Sequence, residues 1–332
     1  MKKIRSSLLF VMILTLTMII AACGNAGNED VAGEEGGNSG GEKQNLSLLT
    51  GGTGGTYYPL GGQIGKIISD NTDANITPQT SGASAENMET LRAGEAEIAF
   101  SQTDIAAYAI EGKEMFEGDP IDNIQAIGSI YPETVQLVTT EKSGIKSVED
   151  LKGKSVSVGA PGSGAYINAM QILEIHGLTT EDIKAENLSF DESTDGIQSG
   201  NIDAAFVTAG TPTGAVEALS AQNDVVIIPL ADDKIDALIK QYPHYSKDTV
   251  ATGTYNIEAD VNTVAVKAML VVTNDLKEDL VYEMTKALYE NTDKITHAKG
   301  EFITPETALQ GLGDMELHPG AAKYFEEKGI TQ

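Results

Sequence analysis

One cysteine, no tryptophan, four histidines and two arginines in 332 residues narrow the chemistry before any motif is read. A single thiol, Cys23, cannot close an internal disulfide, so the fold has to rest on its core. The histidines (His176, His244, His297 and His318) are scattered and match neither a metal-ligand spacing nor a triad. His176 precedes Gly177, the place of a helix C-cap. Basic residues are scarce: 22 Lys and Arg face 49 Asp and Glu, a formal charge of −27. That balance excludes nucleic acid as a partner. Long apolar runs are lacking except from Leu8 to Ala22, which is too short to span a bilayer and suits a signal-peptide core.

Lys2, Lys3 and Arg5 precede that run, which ends in Ile20-Ala21-Ala22-Cys23-Gly24. This resembles the lipobox of bacterial lipoproteins, in which the cysteine is acylated after cleavage and becomes the mature N-terminus. Residues 1–22 are then a lipoprotein signal peptide and Cys23 is the lipidation site. Without residues 1–22 the chain keeps 19 basic against 49 acidic residues, a formal charge of −30. Residues 24–45 are rich in Gly, Asn and acids and cannot bury enough apolar surface to order themselves. As a flexible coil they reach about 25 to 30 Å. Residues 23–45 therefore read as a lipidated tether. The expected place is extracytoplasmic, anchored to the outer face of the cell membrane, or in the periplasm of a host with two membranes.

An internal repeat organises the remainder. Leu48–Ile68, "LLTGGTGGTYYPLGGQIGKII", aligns with Ser157–Ile175, "SVGAPGSGAYINAMQILEI": Gly51 falls on Gly159, Gly54 on Gly162 and Tyr58 on Tyr166, a constant offset of 108. In each, a short strand enters a glycine-rich turn and apolar residues then recur at helical spacing. A second pair follows at an offset of 106, with Gly94 on Gly200, Glu97 on Asp203, Ala99 on Ala205 and Phe100 on Phe206. Each is a helix end closed by glycine, then a short strand. Two similar α/β domains are implied. The β-rich runs 124–140, broken by Pro132, and 262–274 suit strands that cross between them, so the chain leaves the first domain, builds the second and returns. The expected division is 46–131 plus 264–332 for domain 1 and 132–263 for domain 2.

Glycine turns that lead into helix N-termini at strand ends are where open α/β sheets bind ligands, and the helix dipole there favours an anion. The phosphate motifs fail on spacing. Relative to Gly65-Lys66 a P-loop needs glycine where Leu60 stands and Ser/Thr where Ile67 stands. The pattern G-x-G-x-x-G begins at Gly52 and Gly54 but ends on Tyr57, and no G-x-S-x-G surrounds Ser163. No catalytic residue, metal or cofactor is expected, and the chain does not read as an enzyme.

The runs "TGGTGGTYYPLGG", "LRAGEAEIAFSQTD", "LKGKSVSVGAPGSGAYINAMQIL", "GNIDAAFVTAGTPTGAVEAL" and "LHPGAAKYFEEKGI" together resemble the TAXI family, the extracytoplasmic solute receptors of TRAP (tripartite ATP-independent periplasmic) transporters. The resemblance covers about residues 46–330. It implies a two-domain, type II periplasmic-binding-protein fold that closes on its ligand, and delivery to a membrane permease driven by an ion gradient. It also implies a ligand of the amino-acid or dicarboxylate kind, glutamate among them. A monomer is expected. Two other readings stay open: a binding lipoprotein of the same fold serving an ATP-driven (ABC) importer or a sensor, and a surface adhesin without a transport ligand.

The residues expected at the ligand lie where strand ends meet the cleft. In domain 1 these are Thr53, Gly54, Thr56 and Tyr57 or Tyr58 in the opening loop, Ser81 with Gly82, and Ser101 with Gln102 after the "IAF" strand. Ser84 and Asp104 read as helix N-caps. In domain 2 they are Gly162, Ser163 and Gly164, then Thr208, Gly210 and Thr211. Tyr131 is expected to reach the ligand from the hinge, and Glu133 to be a solvated hinge residue. Arg92, before the glycine that ends a helix, complements that helix's C-terminal dipole. The ligand carboxylate then rests on N–H groups and hydroxyls without an arginine clamp, while the net charge is screened over about 8 to 10 Å.

Overall fold

The computed structural model describes residues 43–331. The signal peptide, Cys23 and nearly all of the expected tether lie outside the described residues. The chain first lays down β1 (Gln44–Leu49), α1 (Tyr57–Asn71), β2 (Ala74–Gln79), α2 (Ser84–Arg92), β3 (Ile98–Gln102) and α3 (Thr103–Glu111). The long β4 (Ile124–Thr140) carries it into a second lobe. That lobe comprises β5 (Ser155–Ser157), α4 (Gly164–Ile175), β6 (Lys184–Glu186), α5 (Phe190–Ser199), β7 (Ala204–Ala209), α6 (Gly214–Ser220), β8 (Val225–Ile228), α7 (Asp232–Gln241) and β9 (Ser246–Val250). β10 (Val261–Thr273) leads back, and α8 (Glu278–Tyr289) and α9 (Pro319–Glu327) pack on the first lobe.

The main run of the sheet, β2-β1-β3-β10-β4-β7-β5-β6, reads alike from either end. A parallel triple, β2-β1-β3 or β6-β5-β7, meets an antiparallel crossing strand, β10 or β4. The sequence repeat is reproduced in register. Leu48 pairs with Ile98, and the residues 108 and 106 further on, Val156 and Ala204, pair likewise. The acids of the repeat do the same work twice: Ser47 N–H donates to Glu97 (2.7 Å) and Ser155 N–H to Asp203 (2.8 Å). Gly94 and Gly200 both close their helices at positive φ, 69° and 76°, where a Cβ is disfavoured.

Alternation along the strands divides each lobe into two cores. Leu48, Phe100 and Leu270 face Leu60, Ile64 and Ile68 of α1 and Met284 and Leu288 of α8. Their neighbours Leu49, Ala99 and Val271 face Met88 and Leu91 of α2 and Ile105 of α3. The second lobe repeats the plan, with Phe206 against α4 and α7 and Val207 against α5 and α6. Parallel strands covered on both faces become apolar on both, as these do. Burying one such Leu or Ile contributes about 1.5–3 kcal/mol.

Two sequence expectations shift here. The tether was placed up to residue 45, but Gln44 and Asn45 already pair with Ala74 and Asn75. Backbone pairing needs no apolar side chain, so the strand starts before its first leucine. Pro132, expected to break the first crossing run, instead lies within β4 opposite Lys267. Beside it Ile130 and Tyr131 together oppose the single Ala268, a bulge that absorbs the irregularity of a residue without an N–H.

Candidate functional site

At the carboxyl ends of β1, β3, β5 and β7 the lobes enclose a cavity of about 80 Å³. At about 10–15 Å³ per water-sized site, this holds a small organic molecule. The N-cap residues of five helices line it: Thr56 (α1), Ala83 (α2), Gln102 (α3), Ser163 (α4) and Ser189 (α5). Their positive dipole ends make an anion-attracting wall, with no lysine, arginine or histidine among the described residues that line it. Some of those N–H groups are already spent. Ala85 and Glu86 N–H both donate to Gly162 O across the lobes (2.9 and 3.0 Å), and Ser163 and Ser189 cap their own helices.

Nine of the expected site residues line the cavity: Gly54, Thr56, Tyr57, Ser81, Gly82, Gln102, Ser163, Gly164 and Thr208. Ser84 joins them. The others do not line it. Tyr58 is 40% exposed and points away from the cavity; the adjacent ring, Tyr57, is buried against Phe100 at 4.8 Å. Ser101 is fully buried in β3, because consecutive strand residues face opposite sides and only Gln102 meets the cleft. Tyr131 lies behind the cavity and donates to Glu133 (3.0 Å). Thr53, Gly162, Gly210 and Thr211 make lobe or loop contacts instead. Thr53 donates to Asp191 (3.0 Å), and Gly210 O accepts from Thr56 Oγ1 (3.2 Å). Thr211 shares a hydrogen bond with Thr134 (3.1 Å).

Neither Ser84 nor Asp104 is an N-cap. Each stands inside its helix, where Ser84 Oγ accepts from Gln102 N–H (3.2 Å) and Asp104 accepts from Asn168 (2.9 Å). Arg92 is at the surface in the last turn of α2, paired with Glu89 and Asp119.

Sequence reasoning missed three notable contributors. Ser189 and Phe190 line the second-lobe wall, and the 108-residue offset carried forward from Ser81 arrives at Ser189. Glu133 is no solvated hinge residue: it is 2% exposed and lines the cavity, with a phenol on each carboxylate oxygen, Tyr57 and Tyr131, both at 3.0 Å. Its signal was Tyr131-x-Glu133, a spacing that places both side chains on one face of a strand. Burial pushes the Glu133 carboxyl up to about 8 despite the phenol donors, and Asp104 up to about 6 despite Asn168. Both phenols are raised well above their ordinary value by burial and by Glu133.

Two buried polar atoms of the lining residues, Gln102 Oε1 and Thr208 Oγ1, have no partner among the described residues. An unpaired buried acceptor costs on the order of 1–3 kcal/mol. Ala83 at the rim adopts φ 78°, ψ −145°, a conformation that essentially only glycine takes without strain. Ala83→Gly is expected to raise stability by about 1 kcal/mol in urea unfolding, since the strain relieved exceeds the added chain entropy. A decrease would show that the loop is not strained there.

The model of a family described as NMT1-like matches residues 48–329. Among solved structures, the alkanesulfonate-binding protein SsuA from Xanthomonas axonopodis pv. citri, bound to MOPS, is 15% identical with a TM-score of 0.51, over 86% of this chain and 84% of that one. PhnD1 from Prochlorococcus marinus (MIT 9301), in complex with methylphosphonate, is 12% identical with a TM-score of 0.52, over 86% and 97%. A protein from Bordetella bronchiseptica RB50 is 18% identical with a TM-score of 0.54, over 86% and 83%. At these identities the likeness is one of fold, the two-domain fold of periplasmic solute-binding proteins.

Proposed function

This chain belongs to the NMT1-like family, and from that premise we propose that it is the extracytoplasmic solute-binding component of a membrane transporter, taking up a small amino acid or carboxylate between its lobes and handing it to a permease. The observation that carries the reading is the cavity between the two repeats, walled by the N-caps of five helices. The proposed domains divide within the crossing strands, at 131/132 and 263/264, and the proposed anchor is a lipid on Cys23. Binding rather than catalysis is proposed in keeping with the comparisons, where SsuA is named a binding protein.

The permease has two candidates. The sequence runs resemble TAXI receptors of ion-driven TRAP transporters. An ATP-driven importer suits the comparisons better, since SsuA and PhnD1 are not named as TRAP receptors and the family match is not specific to them. Uptake by vesicles carrying the cognate permease separates the two, by its dependence on ATP or on an ion gradient.

Native mass spectrometry of residues 43–332, as purified and after unfolding and refolding, tests the reading itself. A small acid is expected to co-purify, to be lost on refolding and to return when added back. If nothing co-purifies and no amino acid or dicarboxylate raises the melting temperature, the solute-binding reading fails.

A further inference from the structure

Beside the cavity, α3 of the first lobe meets the second lobe through a buried relay of polar side chains. Gln102, Asp104 and Tyr108 come from the first lobe, Asn168, Gln171 and Tyr245 from the second, and none is more than 6% exposed. Asn168 is fully engaged. Its Nδ2 donates to Asp104 Oδ2 (2.9 Å) and to Tyr245 OH (2.7 Å), and its Oδ1 accepts from Gln102 Nε2 (3.1 Å). Tyr245 OH donates to Gln171 Oε1 (2.7 Å), and Gln171 Nε2 donates to Tyr108 OH (3.1 Å). Two acceptors at this seam have no partner among the described residues: Asp104 Oδ1 and Gln102 Oε1, the latter pressed against Gly164.

Neutral amide and phenol bonds exchange for water at little net cost when such a seam opens. A buried carboxylate behaves differently. Its ionised form gains hydration as the lobes part, and the relay offers it a single neutral donor from the opposite lobe. Asp104 is the acid of the relay, so its charge weighs on whether the seam closes. We infer that lobe closure is proton-linked through Asp104: the seam shuts over the protonated carboxyl and loosens when that carboxyl ionises. This rests on the solute-binding reading above, since a solute reaches the enclosed cavity only when the lobes part, and it adds a regulation to that reading.

In the closed seam burial raises Asp104 to about 6, although Asn168 and the first-turn N–H groups of its own helix lower it. Once the seam opens, water returns it towards its ordinary 3.8. The closed form therefore holds the proton more tightly. Closure is favoured in full below about pH 4 and weakens as pH rises through 6, by roughly 100-fold over the whole span. The titratable groups that act with Asp104 are Glu133 of β4, Tyr57 of α1, Tyr108 one turn along α3, and Tyr245. From α4 come the neutral Asn168 and Gln171, and His244 packs edge-on against Tyr108 at 5.7 Å. All three phenols are raised by burial and keep their protons in this range. Glu133 also titrates on the way to about 8, so it has to be neutralised in any test.

The test is pulsed dipolar spectroscopy of residues 43–332 carrying Glu133→Gln and spin labels on Asn75→Cys and Ala185→Cys. Both positions are exposed, on β2 and β6 at the two ends of the sheet run, and the native cysteine, Cys23, lies outside that segment. In protein freed of solute by unfolding and refolding, the ratio of closed to open distances is expected to rise roughly tenfold from pH 7 to pH 5. Adding Asp104→Asn is expected to abolish that rise. Thermal unfolding shows whether this variant is folded, and the profile of the parent decides by itself if it is not. A ratio that stays constant between pH 7 and pH 5, or one that rises equally after Asp104→Asn, overturns the inference. Neither result touches the solute-binding reading, which stands or falls on the mass spectrometry above.

Discussion

Gly164→Ala is expected to weaken ligand capture by roughly 100-fold while leaving the fold as stable as before. Gly164 is the first residue of α4 in the second lobe, and the Gln102 side chain of the first lobe lies directly against its Cα. A methyl group there would overlap Gln102 Oε1 and Cδ and come within 3.0 Å of Ile105 Cγ1. Gln102 cannot withdraw freely, since its backbone N–H is tied to Ser84 (3.2 Å) and its Nε2 to Asn168 (3.1 Å). The added carbon would hold the lobes apart. The helix itself gains, because alanine is a better helix former than glycine by about 1 kcal/mol. Gly62→Ala, at an exposed position where a Cβ meets nothing within 4 Å, is the matched control. Titration of both variants with the solute recovered from the native protein decides the matter; equal affinities would mean that the lobes do not close over Gly164.

Stability is expected to fall as pH rises from about 5 to about 8, and Glu133→Gln to remove most of that fall. Glu133 moves from an ordinary 4.5 to about 8 on burial and Asp104 from 3.8 to about 6. Between the unfolded and folded values the folded state holds more protons than the unfolded one, so unfolding free energy declines with rising pH. The stabilisation is complete below about pH 4 and is lost as pH passes through the folded values. For Glu133 the span corresponds to something on the order of 4 kcal/mol at 1.36 kcal/mol per unit. Glutamine has no proton to lose but serves the phenols less well, so the variant should match the wild type within about 1 kcal/mol at pH 5 and exceed it by about 3 kcal/mol at pH 8.5. Urea unfolding across that range measures it. Parallel curves for the two proteins would show that Glu133 is not a buried neutral acid.

The repeat was legible because it is written in local signals. Glycine after a helix, an acid before a strand and apolar residues at helical spacing each act within a few residues, so Gly94 with Gly200 and Glu97 with Asp203 could be matched before any fold was known. The matches held to the level of strand register. Loop positions such as Gly54, Ser163 and Thr208 followed, since a strand end before a helix start is itself a local pattern. Tyr58 and Ser101 stay out of the lining for the opposite reason. Each neighbours a residue that lines the cavity, and which of two neighbours faces the cleft depends on where the helix or strand begins, to within one position.

Glu133 lay beyond such reasoning. In sequence it is an acid beside a proline, which reads as solvated. Its burial follows from β10 pairing along β4, from the bulge at Ile130 and Tyr131, and from α1 bringing Tyr57 to a residue 76 positions away. The Asp104–Asn168–Gln102 relay likewise joins residues more than 60 positions apart. Composition and short-range pattern settled the α/β class, the duplication and the glycine-lined cleft, because these depend on periodicity and turn chemistry. The polarity of the cleft floor emerged only when two separate lobes met, because burial and hydrogen-bond partnership are properties of the packed chain and not of any segment of it.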